Sequence, residues 1–280
     1  MGYSNFLKLW ATCFPHVKVR EYKAVSGKCD VCAALTNLRR QKLDFITQQY
    51  LVDLFALHRS MYMGERLEYY KRRNNALLMP SSYLSLIADG MQQSHCILPW
   101  QGHLNTFSNS LTQHLQGVLM HGRSIEIFRT FHNLVNNANL SIHCFLWALE
   151  LILNKEGKLP DTIYYQIDGG SENTSKHVLG ICELLVAKRL CKKLILTRLP
   201  VGHTHEDIDS KFAVIWKRLR DKFILTPQHY ASTVKSALTT SKLSCNVHDI
   251  FAIPDYEKYI SKHIDKQLAR CVLLNITDCI

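Results

Sequence analysis

Carboxylate side chains stand at three points of the sequence where a strand ends or a helix begins. Asp89 and Asp168 each follow a short run of apolar and β-branched residues, and Asp207 and Asp209 open a run with helical spacing. Two cations that catalyse phosphoryl transfer are held by carboxylates from separate chain segments, and Mg²⁺ needs only a few such oxygens besides water and phosphate. The spacing therefore predicts a Mg²⁺ site. Because Asp-Gly is also a common turn, the hypothesis depends on the three positions together.

Helical phase ranks the two candidates for the third acid. The apolar residues of this helix cluster around Phe212, and at about 100° per residue Asp209 falls near +60° and Asp207 near −140° from it. Asp209 therefore borders the buried face, whereas Asp207 contributes only if the first turn is irregular. Acids in a first turn are also favoured by the helix dipole.

Cysteine and histidine spacing near the N-terminus predicts a second metal site. Cys29 and Cys32 form a CxxC motif before a long helical pattern, and Cys13 and His16 lie upstream. Four nitrogen and sulfur ligands suit a tetrahedral Zn²⁺ ion. We expect these four residues to form a zinc knuckle, with unligated thiols as the alternative.

Two histidines precede the last acids. His203-x-His205-x-Asp207 is similar to the first half of the metallo-β-lactamase metal motif, but Ile208 stands where that motif has histidine, and no suitable second cluster follows. A dinuclear zinc hydrolase is therefore disfavoured. We expect His203 or His205 to contact a scissile phosphate or to cap the helix, since a helix N-terminus binds anions.

The net charge of +11, from 34 Lys and Arg against 23 Asp and Glu in 280 residues, is unevenly distributed. Residues 18–75 and 176–223 carry +6 each, and residues 76–175, which contain Asp89 and Asp168, carry −3. This pattern favours an acidic, cation-holding centre between surfaces that bind DNA phosphates, with Lys217 and Arg218 among the phosphate contacts. Solvated helix faces are the alternative explanation.

The elements that must position these residues follow an α/β order. Strands are predicted at 83–88, 116–120 and 125–131, followed by a helix at 140–153 that Gly157 and Pro160 end, a strand at 162–167, a helix at 177–190, a strand at 193–199 and a helix at 205–223. Thr226-Pro227 is predicted to cap a further helix to about Leu238. Three strands close enough for a meander, then strands alternating with helices, predict an RNase H-like mixed five-stranded sheet flanked by helices. The longest apolar run, Cys144–Leu153, is too short to span a bilayer.

The same patterns suggest four segments. We predict an N-terminal segment with the Cys/His zinc knuckle at 1–34, a long-helix arm at 35–80, an RNase H-like catalytic-type core at 81–225 and a C-terminal helical extension at 226–280. The arm reads as one helix from Cys32 to about Leu78, and the last forty residues show no clear pattern.

Three segments resemble a eukaryotic transposon-derived domain family of unknown function. They are Leu-Pro-Val-Gly-His-Thr-His-Glu-Asp-Ile-Asp at 199–209, Ile-Asp-Gly-Gly-Ser-Glu-Asn at 167–173 and Ala-Asp-Gly-Met at 88–91. The resemblance implies a transposase- or integrase-type core of RNase H-like fold, with an acidic triad that binds Mg²⁺ or Mn²⁺. By position, Asp89 and Asp168 match the first two acids and Asp207 or Asp209 the third, and Asn173 is expected to contact the substrate.

Two functions are compatible with this resemblance. The first is metal-dependent cleavage or strand transfer at DNA phosphodiester bonds, by an enzyme that self-associates as transposases do and acts in the nucleus. The second is a host-retained, inactive transposase remnant that binds nucleic acid or protein.

Overall fold

A mixed β-sheet forms the centre of the protein, in a computed structural model that describes residues 12–13, 29–101, 110–168, 175–198, 202–203, 207–240 and 243–264. Its strands and those of a small separate ribbon are β1 (Tyr83–Gly90), β2 (Ile97–Leu98), β3 (Trp100–Gln101), β4 (Leu111–Met120), β5 (Ser124–Phe131), β6 (Thr162–Ile167), β7 (Lys193–Arg198), β8 (Phe223–Ile224) and β9 (Ser244–Asp249). The five strands predicted from the sequence are thus present as β1, β4, β5, β6 and β7.

Helices precede, separate and follow these strands. They are α1 (Asp30–Arg39), α2 (Phe45–Leu78), a 3₁₀ turn (Gln93–His95), α3 (Ala138–Glu156), α4 (Lys176–Ala187), α5 (Asp207–Leu219), α6 (Pro227–Leu238) and α7 (Tyr256–Ile260). The predicted end of α3 is confirmed, since Gly157 adopts a left-handed φ of 75° there and stops the helix. The predicted start of α6 is confirmed as well, because Thr226 caps it and Pro227 occupies its first turn.

The strand order confirms the predicted RNase H-like arrangement. The main sheet runs β7-β6-β1-β4-β5-β9. β1, β4 and β5 form an antiparallel meander, whereas β6 pairs in parallel with β1 and β7 in parallel with β6. The parallel strands therefore end at the same edge of the sheet as β1 does, which is the edge that carries the predicted acids.

Two strands outside the predicted five extend this sheet to seven. β9 pairs in parallel with β5, and the two-residue β2 pairs with β4, while β3 and β8 form a separate ribbon. The segment 226–280, expected to be a helical extension, therefore contributes a strand to the sheet. β9 was missed because its sequence, Ser-Cys-Asn-Val-His-Asp, lacks the apolar run typical of a buried strand.

The N-terminal arm consists of two helices rather than one continuous helix. α1 ends at Arg39, and α2 begins after Asp44, whose side chain accepts hydrogen bonds from the backbone N–H (2.9 Å) and the hydroxyl (2.6 Å) of Thr47. An Asp at this position satisfies a backbone donor that the first turn leaves unpaired, and so starts a new helix. The helical periodicity continues across the break, which is why the sequence pattern suggested one helix.

Helices cover both faces of the sheet, and the alternation of side chains along each strand decides which face a residue joins. Ala88, Val118 and Ile167 pack with α3 and α4 on one face. Ile87, Leu119 and their neighbours pack with α2, α5 and α6 on the other. Within the described residues, no helix combines the length and apolar character needed to cross a membrane.

Candidate functional site

Asp89 and Asp168, called the acidic pair below, lie beside each other at the carboxyl ends of β1 and β6. The parallel register pairs Ala88 with Ile167, so each Asp is the next residue along its own chain. Adjacent strands lie about 4.8 Å apart. Because Ala88 and Ile167 both face α3 and α4, the alternation directs both Asp side chains towards the face covered by α2 and α5.

Polar groups surround the acidic pair on this face. Asp89 is half-buried, and its Oδ1 accepts a hydrogen bond from the backbone N–H of Gly90 at 2.7 Å; Asp168 is also half-buried. Gln166 lies two residues before Asp168 and so on the same face of β6. Gln166 is buried, and its Oε1 accepts a hydrogen bond from Thr197 Oγ1 at 2.7 Å. Among the described residues its Nε2 has no hydrogen-bond partner, so a buried amide donor lies beside two carboxylates.

The first half of α5 lies over the strand residue opposite Asp89. Gly117 of β4 pairs with Asp89, and a Cβ atom added to it would lie 3.0 Å from Phe212 Cζ and 3.1 Å from Ile208 Cδ1. The missing side chain therefore lets α5 approach the sheet closely at the level of Asp89. Asp209, which is half-buried, follows Ile208 in this turn of the helix.

Asp207 has partners of its own on α2 and in the turn that follows β4. Its Oδ2 lies 2.8 Å from Arg73 Nη1, 3.2 Å from the hydroxyl of Tyr69 and 3.4 Å from Nε2 of the buried His121. The hydrogen bond with His121 and the ion pair with Arg73 outweigh burial and hold the pKa of Asp207 well below its usual range. As the helical phase indicated, Asp207 lies off the sheet-facing stripe of α5, and it points to α2.

The four Asp residues do not converge on one point in this structure. A metal ion could be held by a group of at least three Asp, Glu, His or Cys side chains with ligand atoms within 4.8 Å of one another. Among the residues that the structure describes, one such group is present, and it is a different cluster that contains none of these four Asp residues. The structure therefore brings two acids together by strand register, and it places Asp209 on the helix that covers the same face.

That different cluster consists of Cys29, Cys32, His58 and His203, called the Cys/His cluster below. Cys29 Sγ lies 3.3 Å from His58 Nε2, Cys32 Sγ lies 3.6 Å from His203 Nε2, and the two Nε2 atoms are 3.2 Å apart. The cluster joins the start of α1, the middle of α2 and the segment before α5.

Neighbouring side chains hold His203 in this cluster. Its ring stacks on Tyr62 with 3.7 Å between centroids, and its carbonyl oxygen accepts a hydrogen bond from Arg66 Nη2 at 3.0 Å. Burial, His58 and Arg66 all lower the pKa of His203, which favours the neutral ring. Burial and the neighbouring Cys29 raise the pKa of the Cys32 thiol.

The remaining predicted site residues lie away from the acidic pair or outside the described residues. Cys13 is exposed and is not a member of the Cys/His cluster, and His16, Asn173 and His205 lie outside the described residues. Lys217 and Arg218 are exposed in the last turn of α5. His203, which was expected to cap the N-terminus of α5 or to contact a phosphate there, belongs to the Cys/His cluster.

Sequence reasoning missed His58, Gln166 and the partners of Asp207. His58 is 29 residues from Cys29 and 145 from His203, and nothing around it in α2 resembles a metal motif. A search for any histidine on the helix that follows the CxxC motif would have included it.

The strand order and the acidic pair define an RNase H-like α/β protein with carboxylates at the ends of its two central parallel strands. The chain belongs to the family described as a domain of unknown function, DUF7869, whose model matches residues 105–271. No curated protein matches it.

Two solved structures show a weak similarity to the chain. They are the crystal structure of the Mos1 strand transfer complex (13% identity, TM-score 0.31, 82% of this chain and 77% of that chain covered) and that of the mariner Mos1 paired end complex with Mg (9% identity, TM-score 0.25, 85% and 88% covered). The assignment of the fold rests on the strand order itself.

Proposed function

We propose that this protein is a transposase- or integrase-like enzyme that cleaves or transfers DNA phosphodiester bonds with the help of Mg²⁺ or Mn²⁺. The observation that carries the proposal is the register of β1 and β6, which places Asp89 and Asp168 side by side on one face of the sheet. Rigid strand ends are suited to this chemistry, because carboxylates must be held in place before a substrate binds.

The donor set fits a hard divalent cation. Half-buried carboxylate oxygens such as those of Asp89 and Asp168 are the ligands that Mg²⁺ and Mn²⁺ prefer. A bound cation would polarise the scissile phosphate and lower the pKa of an attacking water or 3′-hydroxyl. We assign Asp209 as the third acid, because it follows Ile208 in the turn of α5 that lies over Gly117, whereas Asp207 points to Arg73 of α2.

The protein's own groups would bind and orient the DNA. The unpartnered Nε2 of Gln166 can donate a hydrogen bond to a phosphate oxygen or to an ordered water beside the acidic pair. Lys217 and Arg218, exposed at the end of α5, can contact the DNA backbone, which positions a duplex without reading its sequence. Asn173 and His205 stay predicted substrate contacts, and self-association and action in the nucleus stay part of the proposal.

The test is a cleavage and strand-transfer assay on supercoiled and linear DNA with Mg²⁺ or Mn²⁺. Asp89→Asn and Asp168→Asn should each lower activity by about 10³-fold, since a metal ion supplies several kcal/mol and each 1.36 kcal/mol is tenfold in rate. Asp161→Asn is the matched control, because Asp161 lies at the opposite end of β6, where it pairs with Lys192. Equal activity in Asp168→Asn and Asp161→Asn would contradict the proposal.

The same samples distinguish the alternative function. A remnant that only binds DNA would retain full affinity in Asp168→Asn, would lose it steeply as salt rises, and would show no metal-dependent product with any variant. That combination of results would replace the enzyme proposal with a binding function.

A further inference from the structure

We propose that Cys29, Cys32, His58 and His203 bind one structural Zn²⁺ ion, which fastens the two N-terminal helices to the segment that leads into α5. The four residues come from three parts of the chain that are far apart in sequence. The inference does not depend on the proposed enzymatic activity, because its tests measure bound metal and folding.

The distances within the Cys/His cluster are those of a tetrahedral zinc site. With Zn–N near 2.0 Å and Zn–S near 2.3 Å, the ligand atoms of a tetrahedral site lie about 3.3–3.8 Å from one another. The measured separations are 3.2 Å between the two Nε2 atoms and 3.3 Å and 3.6 Å for the two sulfur–nitrogen pairs. All four atoms fall within 4.8 Å of one another, so one small cation could contact all of them.

The donor types select zinc and a structural role. Two thiolates and two imidazoles are soft and borderline ligands, which favour Zn²⁺ over Mg²⁺ or Ca²⁺. Four protein ligands fill a tetrahedral shell and leave no position for a substrate or a water, as in structural rather than catalytic zinc sites. The stack of Tyr62 on His203 and the bond from Arg66 to its carbonyl provide the outer contacts that orient a metal ligand.

Within the described residues, α1 and the first half of α2 bury few side chains. In α1, which has 10 residues, only Leu35 is buried, and the first half of α2 exposes Phe45 (83%), Ile46 (80%) and Tyr50 (62%). Helices this short are marginal without tertiary packing. Because metal binding contributes directly to folding where a core is lacking, a zinc ion would stabilise the position of α1 against α2.

The bound metal would also order the approach to the acidic face. His203 precedes α5 by four residues, and Asp209 lies in the first turn of that helix. A ligand anchored at His203 restricts the path of the chain there. Removal of the metal should therefore increase hydrogen exchange at the backbone amides at the start of α5, while the amides of β1 and β4 keep their protection.

The first experiment measures zinc in the full chain, purified under reducing conditions without chelator. We expect about one zinc per chain in the wild type, and a loss of nearly all of it in Cys32→Ser and His203→Ala. The controls are Cys13→Ser and His229→Ala, which remove an exposed cysteine and an exposed histidine outside the Cys/His cluster, and which should retain the metal. A wild type without zinc, or controls that lose it as the ligand variants do, would overturn the proposal.

The second experiment remains informative if a variant folds poorly. Co²⁺ bound in place of zinc should show the visible d–d absorption of a tetrahedral site together with a thiolate charge-transfer band in the ultraviolet. His203→Cys should restore the metal binding that His203→Ala loses, and its charge-transfer band should be stronger because a third thiolate is present. Octahedral-type weak absorption in the wild type, or a His203→Cys spectrum identical to that of the wild type, would refute the assigned ligand set.

A third variant tests the outer contacts. Tyr62→Leu removes the ring that stacks on His203 but leaves all four ligands. We expect its zinc affinity to fall by about 10–100-fold, as for other residues that orient a ligand. An unchanged affinity, measured by competition with a chelator, would contradict the role of the stack in orienting His203.

Discussion

We propose different roles for Asp207 and Asp209, although the two acids are separated by a single residue in the same turn. Asp207 is bound by Arg73, Tyr69 and His121. Its replacement by Asn keeps the shape and removes the charge. We therefore expect Asp207→Asn to lower stability and Asp209→Asn to abolish DNA cleavage.

The contacts set the size of the effect on stability. A hydrogen bond to a charged group contributes about 1.5–3 kcal/mol, and exposed ion pairs contribute only about 0.2–1 kcal/mol. The Arg73 and Asp207 side chains are 29% and 32% exposed, so their interaction falls between these two ranges. We therefore expect Asp207→Asn to lower the free energy of unfolding by about 2 kcal/mol. At about 2–4 °C per kcal/mol for chains of this size, the Tm should fall by about 4–8 °C.

Thermal unfolding and the cleavage assay on the two variants separate these roles. A double-mutant cycle with Arg73→Met should give a coupling of about 1–2 kcal/mol. Because the pKa of Asp207 is lowered in the folded state, its stabilisation is present above the ordinary carboxyl pKa of about 3.9 and disappears as the pH falls below it. The stability difference between wild type and Asp207→Asn should therefore shrink in acid. A stable but inactive Asp207→Asn beside a fully active Asp209→Asn would refute the reasoning.

Two contacts at the β5–β9 junction, each with one buried partner, allow further predictions. Arg129 is 2% exposed and donates two hydrogen bonds to Asp249, which is 36% exposed, at 2.7 and 2.8 Å. Arg129→Met should therefore lower the free energy of unfolding by about 1.5–3 kcal/mol, the value of a hydrogen bond to a charged group; a wild-type urea midpoint would contradict this. Burial raises the pKa of Glu126, but hydrogen bonds led by that from His248 at 2.7 Å lower it overall, so its stabilisation is present above about pH 4.3 and lost in acid. His248→Leu should shift this loss of stability to higher pH, and an unchanged profile of stability against pH would count against the pair.

Local sequence patterns determined most of the secondary structure and located two of the proposed chemical sites. Runs of apolar and β-branched residues placed β1, β5 and β6 within a few residues, and the Thr226-Pro227 and Gly157 signals located helix ends correctly. Such signals act between residues only a few positions apart, which is why they can be read from one sequence. The two Asp-Gly strand ends and the CxxC motif are local in the same sense.

Which residues meet across the fold was decided only by the tertiary structure. His203 lies 171 residues from Cys32 and 145 from His58, and no pattern within either segment specifies that contact. The packing of α2 beside α5 brings them together, and it also turns Asp207 towards Arg73 rather than towards the acidic pair. Long-range contacts depend on how whole elements pack, so the sequence alone indicated which residue types carry the chemistry, and the fold decided which of them share a site.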